Sequence, residues 1–175
     1  MSAFSPHHTP GADDLAAGSH EPARTRPRLV IADDDFVIQM VVSASLEHAF
    51  DVVGIAGDGD AAIELVKDQQ PDVILVDVDM PAGGGRRVVG EITRLAPRVA
   101  IVVLTADESD AARRELTAAG AVAYAQKGID PDVLADLLIG AIAAHAGELA
   151  RSAPQRSTTT AALACRDELA CAPAT

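Results

Sequence analysis

The chain of 175 residues has no tryptophan, one tyrosine and three phenylalanines. A core built on aromatic anchors is therefore excluded, although 49% of the residues are hydrophobic. Much of that fraction is alanine, which points to helices covering strands of Val, Ile and Leu. Clustered positive charge is missing too: 14 Lys and Arg face 26 Asp and Glu, a net charge of −12 with an isoelectric point near 4.6. The short basic pairs Arg86-Arg87 and Arg113-Arg114 read as solvated helix faces. A nucleic-acid surface needs concentrated Lys and Arg, so no direct nucleic-acid partner is expected. The only cysteines, Cys165 and Cys171, fall in the last eleven residues with no histidine nearby. That placement gives neither a disulfide framework nor a zinc motif. No basic segment leads into an apolar run at the start, and no 18-residue apolar stretch is found. The expectation is a soluble, cytoplasmic protein of a reducing compartment, without a membrane span.

What is present is a regular alternation. Residues 1–27 are rich in Pro, Gly, Ser, His and Ala without periodicity, and are expected to be a disordered arm. His7-His8 in that arm carry no assigned role. From Arg28, β-rich runs at 28–32, 51–56, 72–77, 99–105 and 121–127 alternate with helical spacing at 36–50, 59–70, 85–96, 109–120 and 130–149. Asp35 stands at the N-cap of the first helix, and Asp130 at that of the last, with Pro131 in the first helical position. The expected core stripes are residues 38, 41, 42, 46 and 49 in the first helix, and 133, 134, 137, 138, 141 and 142 in the last. "DVILVD" (72–77) has consecutive rather than alternating apolar residues, the pattern of a strand buried on both faces. The pattern is (βα)5: an α/β, doubly wound, flavodoxin-like sandwich, a five-stranded parallel sheet with helices on both faces. The domain is expected to span 28–147. Residues 148–175 are expected to form a mostly disordered tail with one short helix near 160–171.

In such sheets ligands sit beyond the carboxyl ends of the strands, so those ends are where chemistry should gather. The first strand ends on Asp33 and Asp34, the third on Asp77 and Asp79, the fourth on Thr105 and the fifth on Lys127. Carboxylates collected at one edge repel each other, and burial raises the cost. A cation among them makes the cluster tenable, and oxygen-only ligands suit a hard ion such as Mg²⁺. Divalent cation, lysine, hydroxyl and carboxylate nucleophile are the parts that stabilise a phosphoryl group in transit. Singly, each residue has a plain structural reading: helix-cap chemistry for Asp33 to Asp35, a strand-end hydroxyl for Thr105, a solvated charge for Lys127. Their recurrence at successive strand ends favours the joint reading.

The pieces "LVIADDD", "PDVILVDVDMPAGGG", "VVLTA" and "GAVAYAQKG" together resemble the receiver domains of two-component response regulators, over about residues 28–147. The resemblance implies that Asp77 receives a phosphoryl group from the phosphohistidine of a histidine kinase or a histidine phosphotransfer protein. It implies that Asp33 and Asp34 hold Mg²⁺ with Asp77 and the backbone carbonyl of Asp79, while Asp35 belongs to the helix start. Thr105 and Lys127 would contact the phosphoryl oxygens, and Gly85 matches the family's glycine after the acceptor. Thr105 and Tyr124 would act as the switch, reshaping the face of fourth helix, fifth strand and fifth helix for a downstream protein target. A homodimer through that face is compatible with the resemblance. Asp79 and Asp107 would line the pocket rim and tune the lifetime of the acyl phosphate. One departure is Gly128, where the family commonly has a proline in a cis peptide; glycine holds no fixed geometry there. The "AGGG" loop after the acceptor is the other.

Two rivals are weighed against this reading. A haloacid-dehalogenase-like phosphatase also uses a D-x-D, a hydroxyl, a lysine and an acidic pair, but with the nucleophile on the first strand. Here the acidic pair comes first and the D-x-D lies on the third. A degenerate receiver serving only as an interaction module would have lost an acidic residue, the acceptor or the lysine, and all are present. The expectation is thus a stand-alone phosphoacceptor without a DNA-binding output domain. It would be no enzyme beyond its self-catalysed phosphorylation and hydrolysis. His48 and His145 read as packing or surface residues.

Overall fold

The computed structural model describes residues 26–80, 84–106 and 109–152. Asp107, Cys165, Cys171, His7, His8 and the short helix expected at 160–171 lie outside the described residues. The elements are β1 (Arg28–Ala32), α1 (Phe36–Leu46), β2 (Asp51–Ala56), α2 (Gly59–Gln69), β3 (Val73–Asp77), α3 (Gly84–Leu95), β4 (Ala100–Thr105), α4 (Asp110–Ala119), β5 (Ala123–Gln126) and α5 (Pro131–Ser152). The strands form one parallel sheet in the order β2-β1-β3-β4-β5. The chain winds outward from β1 in one direction and then from β3 in the other. The switch point between β1 and β3 opens the crevice where their carboxyl ends diverge.

Alternation along the strands divides the core into two layers. Val30, Ile74, Val76, Ile101 and Val103 pack under α2, α3 and α4. Leu29, Ile31, Val73, Leu75 and Val102 face α1 and α5 instead. All five residues of β3 and all six of β4 are buried, as consecutive apolar runs require of strands covered on both sides.

Helix ends follow local chemistry. The Asp35 side chain accepts from Val37 N at 2.8 Å and Ile38 N at 3.4 Å, and Asp130 Oδ1 accepts from Asp132 N at 3.0 Å. Ser109 caps α4, which closes on Gly120 at φ 115°, a left-handed position where a side chain would also strike Thr93. Gly85 is required for space rather than for φ. A Cβ there would overlap the Asp77 carbonyl oxygen and sit 2.8 Å from Val78 Cα. Gly85→Ala is therefore expected to destabilise the fold by about 1–3 kcal/mol. Urea unfolding at an unchanged midpoint would refute this close approach.

Several expectations change. Arg26 and Pro27 belong to the ordered domain rather than to the arm: Arg26 donates to the Glu47 carbonyl and the Pro27 carbonyl accepts from Asp51 N at 2.9 Å. Helix α5 runs to Ser152, beyond the expected boundary at 147, because Glu148, Leu149, Ala150 and Arg151 are helix formers and Pro154 is the first breaker. Its buried stripe is Leu134, Ala135, Leu138 and Ala141, while Val133 is exposed. No apolar stretch of 18 residues was expected, but α5 is long and apolar enough by length and composition to cross a membrane, with mean hydropathy 1.6. Its alanines raise that mean, and its buried stripe covers the sheet. In α1 the stripe expectation fails at Val41, which is 58% exposed, because only the C-terminal end of the helix is deeply seated, at Leu46.

Candidate functional site

The sheet edge gathers Asp33, Asp34, Asp77 and Lys127. Asp33 follows β1, Asp77 ends β3 and Lys127 follows β5. By the period of two they continue the rows of Ile31, Leu75 and Ala125, all of which face the α1/α5 layer. Asp33 and Asp77 are each 1% exposed. Lys127 Nζ donates to Asp77 Oδ2 at 2.8 Å and lies 3.2 Å from Asp33 Oδ2. The second Asp77 oxygen accepts from Asp79 N at 3.3 Å, and Asp33 Oδ1 accepts from Asp35 N at 2.8 Å. Asp79 itself is exposed and reaches the cluster through its backbone amide.

Asp33, Asp34 and Asp77 each bring a ligand oxygen within 4.8 Å of the others. Asp33 Oδ2 is buried without a hydrogen-bond partner. The neighbouring ammonium is close enough for charge pairing but is not aligned as a donor to it. An orphaned buried carboxylate oxygen beside two further carboxylates, with oxygen donors alone, fits a hard divalent cation.

The electrostatics are unbalanced without such a cation. Burial pushes the Asp33 carboxyl above its ordinary value, against the opposing pull of the Asp35 amide and of Lys127. Burial alone would lower Lys127, but the hydrogen bond to Asp77 and the charges of Asp77 and Asp33 outweigh it and hold the ammonium above the ordinary lysine range. The contribution of Lys127 to stability is thus full at neutral pH and lost only as alkaline pH passes its elevated value. For Asp33 the folded form binds the proton more tightly than the unfolded chain. Its contribution is full below the ordinary carboxylate range and is lost as pH rises through the elevated value. Above that elevated value the ionised group opposes folding. In chelator, Asp33→Asn is therefore expected to raise the melting temperature at pH 7 by about 2–5 °C. The gain should shrink toward pH 4, and a lowered melting temperature at pH 7 would overturn this account.

Thr105 ends β4 on the opposite side of the sheet, in the row of Val103, and is buried. Its carbonyl accepts from Lys127 N at 3.0 Å, tying the ends of β4 and β5 together. Tyr124 shares that side of the sheet, in register with Val103. The Tyr124 hydroxyl is engaged on α4, 2.7 Å from Thr117 Oγ1 and donating to the Arg113 carbonyl at 2.9 Å, with the Arg113 guanidinium 5.9 Å from its ring. The sequence reading missed Thr117 and Arg113. Their spacing of four, seven residues before Tyr124 in the case of Thr117, was the available signal. No cis peptide occurs among the described residues, and Gly128 takes φ 88°. His48 bonds the Ser45 carbonyl at 2.8 Å and His145 the Pro97 carbonyl at 2.9 Å, both away from the cluster.

Residues 29–139 match the model of the response regulator receiver domain. The chain belongs to the receiver family. Receiver domains are phosphoacceptors of two-component systems and bind Mg²⁺ at an acidic pocket. The chain is 39% identical over 114 residues to the transcriptional regulatory protein PdtaR of Mycobacterium tuberculosis, covering 63% of this chain and 53% of that protein. It is 32% identical over 103 residues to the response regulator GacA of Pseudomonas aeruginosa, covering 58% and 48%. The chain thus spans about half the length of these curated relatives. Among solved structures, the receiver domain of AraT from Geobacillus stearothermophilus superposes with a TM-score of 0.62 at 25% identity, covering 70% of this chain and 98% of that one. A CheY-like receiver protein from Methanospirillum hungatei shares the fold with a TM-score of 0.66 at 22% identity, covering 71% and 99%.

Proposed function

We propose that Asp77 accepts a phosphoryl group from the phosphohistidine of a histidine kinase or a histidine phosphotransfer protein. The observation that carries this reading is Lys127 between two buried carboxylates, one of them holding an orphaned oxygen. A carboxylate oxygen of Asp77 attacks phosphorus while the P–N bond of the phosphohistidine breaks. The electron pair returns to the imidazole, and an acyl phosphate is left on Asp77. Mg²⁺ would be held by Asp33, Asp34, Asp77 and the Asp79 carbonyl, and would neutralise charge on the phosphoryl oxygens. Lys127 exchanges part of its pairing with Asp77 for the arriving oxygens, and Thr105 supplies a hydroxyl to them. Asp79, and Asp107 by the family resemblance, would govern access of water and so the lifetime of the acyl phosphate. The chain turns over no substrate beyond its own phosphorylation and hydrolysis.

The donor must cover the mouth of the cluster. Phe36, Val37, Met40 and Val41 of α1 are exposed apolar residues, and Val37 and Val41 line a groove of about 290 Å³ that reaches Lys127, Ile129 and Leu134. An apolar helical surface on the donor suits this side. On the other side, movement of Thr105 toward the phosphoryl group makes room for Tyr124 to leave Thr117 and Arg113. That reshapes the α4-β5-α5 face for a downstream protein target in the cytoplasm, or for a second copy of the chain. Incubation with acetyl phosphate and Mg²⁺ tests the reading. One phosphoryl group per chain, lost in chelator, is expected; repeated turnover of a phosphomonoester would contradict it.

A further inference from the structure

Gln39 is the one amide-bearing residue of α1, set among apolar, serine and alanine neighbours. Its side chain is half-buried and returns to the carboxyl edge of the sheet. Nε2 donates to the Asp33 carbonyl at 2.5 Å and to the Ala56 carbonyl at 3.4 Å. Both partners are acceptors, so only the two hydrogens of the amide nitrogen can serve them. These carbonyls belong to different chain segments, one just past β1 and the other at the end of β2. Asp33 N bonds the same Ala56 carbonyl at 3.1 Å, so the two segments are joined by a backbone bond and by Gln39.

The turn so held carries Asp33 and Asp34. Asp33 is fixed on its side-chain face by the Asp35 amide, whereas Asp34 is exposed and depends on the backbone for its approach to the cluster. We propose that Gln39 is a positioning residue for this acidic turn. By holding the Asp33 and Ala56 carbonyls together it sets the separation of the Asp33 and Asp34 carboxylates, and with it the affinity for a divalent cation. The inference rests on the reading that these carboxylates hold Mg²⁺. Groups that orient ligands from behind typically change metal affinity by about 10- to 100-fold when removed.

Isothermal titration with Mg²⁺ alone, on the full chain, tests it. Gln39→Leu keeps the volume but loses the donors; Gln39→Asn keeps the amide but falls one methylene short. Both are expected to raise the Kd for Mg²⁺ about 10-fold, with melting temperatures in chelator close to the parent's. A packing role would be met by leucine, so a parent-like Kd for Gln39→Leu overturns the proposal while leaving the cation site intact. Reduced stoichiometry at an unchanged Kd marks loss of folded protein alone and overturns it too. Absence of Mg²⁺ binding by the parent overturns the cation site and the proposal together.

Discussion

With Asp77→Ala, acetyl phosphate and Mg²⁺ are expected to give no shifted band on a phosphate-affinity gel, whereas the parent chain shifts. The effect should be complete rather than graded. Asp33, Asp34 and Asp79 are other carboxylates at the same edge, but none is placed to replace the acceptor. Asp33 is committed to the β1 turn by the Asp35 amide, and Asp34 and Asp79 are exposed to water. Asp77 alone combines burial with two donors on its oxygens, from Lys127 and from the Asp79 amide. Those donors orient the carboxylate and can pass to the phosphoryl oxygens as they arrive. A band that survives Asp77→Ala would move the acceptor elsewhere. A parent chain that takes up no phosphoryl group would favour a receiver that works by contact alone.

Lys127→Met should be the most damaging single change to stability at this edge. The substitution keeps an unbranched side chain but leaves Asp33 and Asp77, each 1% exposed, without their shared cation. Removing one partner of a buried charge group costs about 3–5 kcal/mol, and the 24% exposure of Lys127 places the expected loss at the lower end. The loss should be measured by urea unfolding in chelator, and Mg²⁺ should recover much of it by supplying the missing charge. Phosphorylation should fall even where Mg²⁺ restores the fold, since the cation cannot provide the ammonium donor on the far oxygen. Unaltered stability in chelator would mean that the two carboxylates are not ionised together, against the ion pairing described.

The order of strands and helices was legible because each element declares itself locally. Consecutive apolar runs mark β3 and β4, and Asp35 and Asp130 mark helix starts within a residue or two. The residues at the sheet edge were legible for a related reason. A parallel sheet brings every strand's carboxyl end to one side, so Asp33, Asp77, Thr105 and Lys127 follow from strand positions alone. Burial along α1 and α5 was less legible. Apolar spacing names a stripe but not which of its residues the sheet covers, and Val41 and Val133 stay exposed.

The sequence by itself determined the alternation of elements, the parallel fold and the identity of the chemical groups at its carboxyl edge, because these depend on neighbours a few residues apart. The tertiary structure alone decided how those groups divide the work. It buries Asp33 and exposes Asp34, joins Lys127 to an acceptor 50 residues away, and places the Tyr124 hydroxyl on Thr117 and Arg113. It also turns Gln39 back onto the carbonyls of two segments. Each of these is a contact between distant parts of the chain, set by how helices pack across the sheet, and no local pattern of residues encodes it.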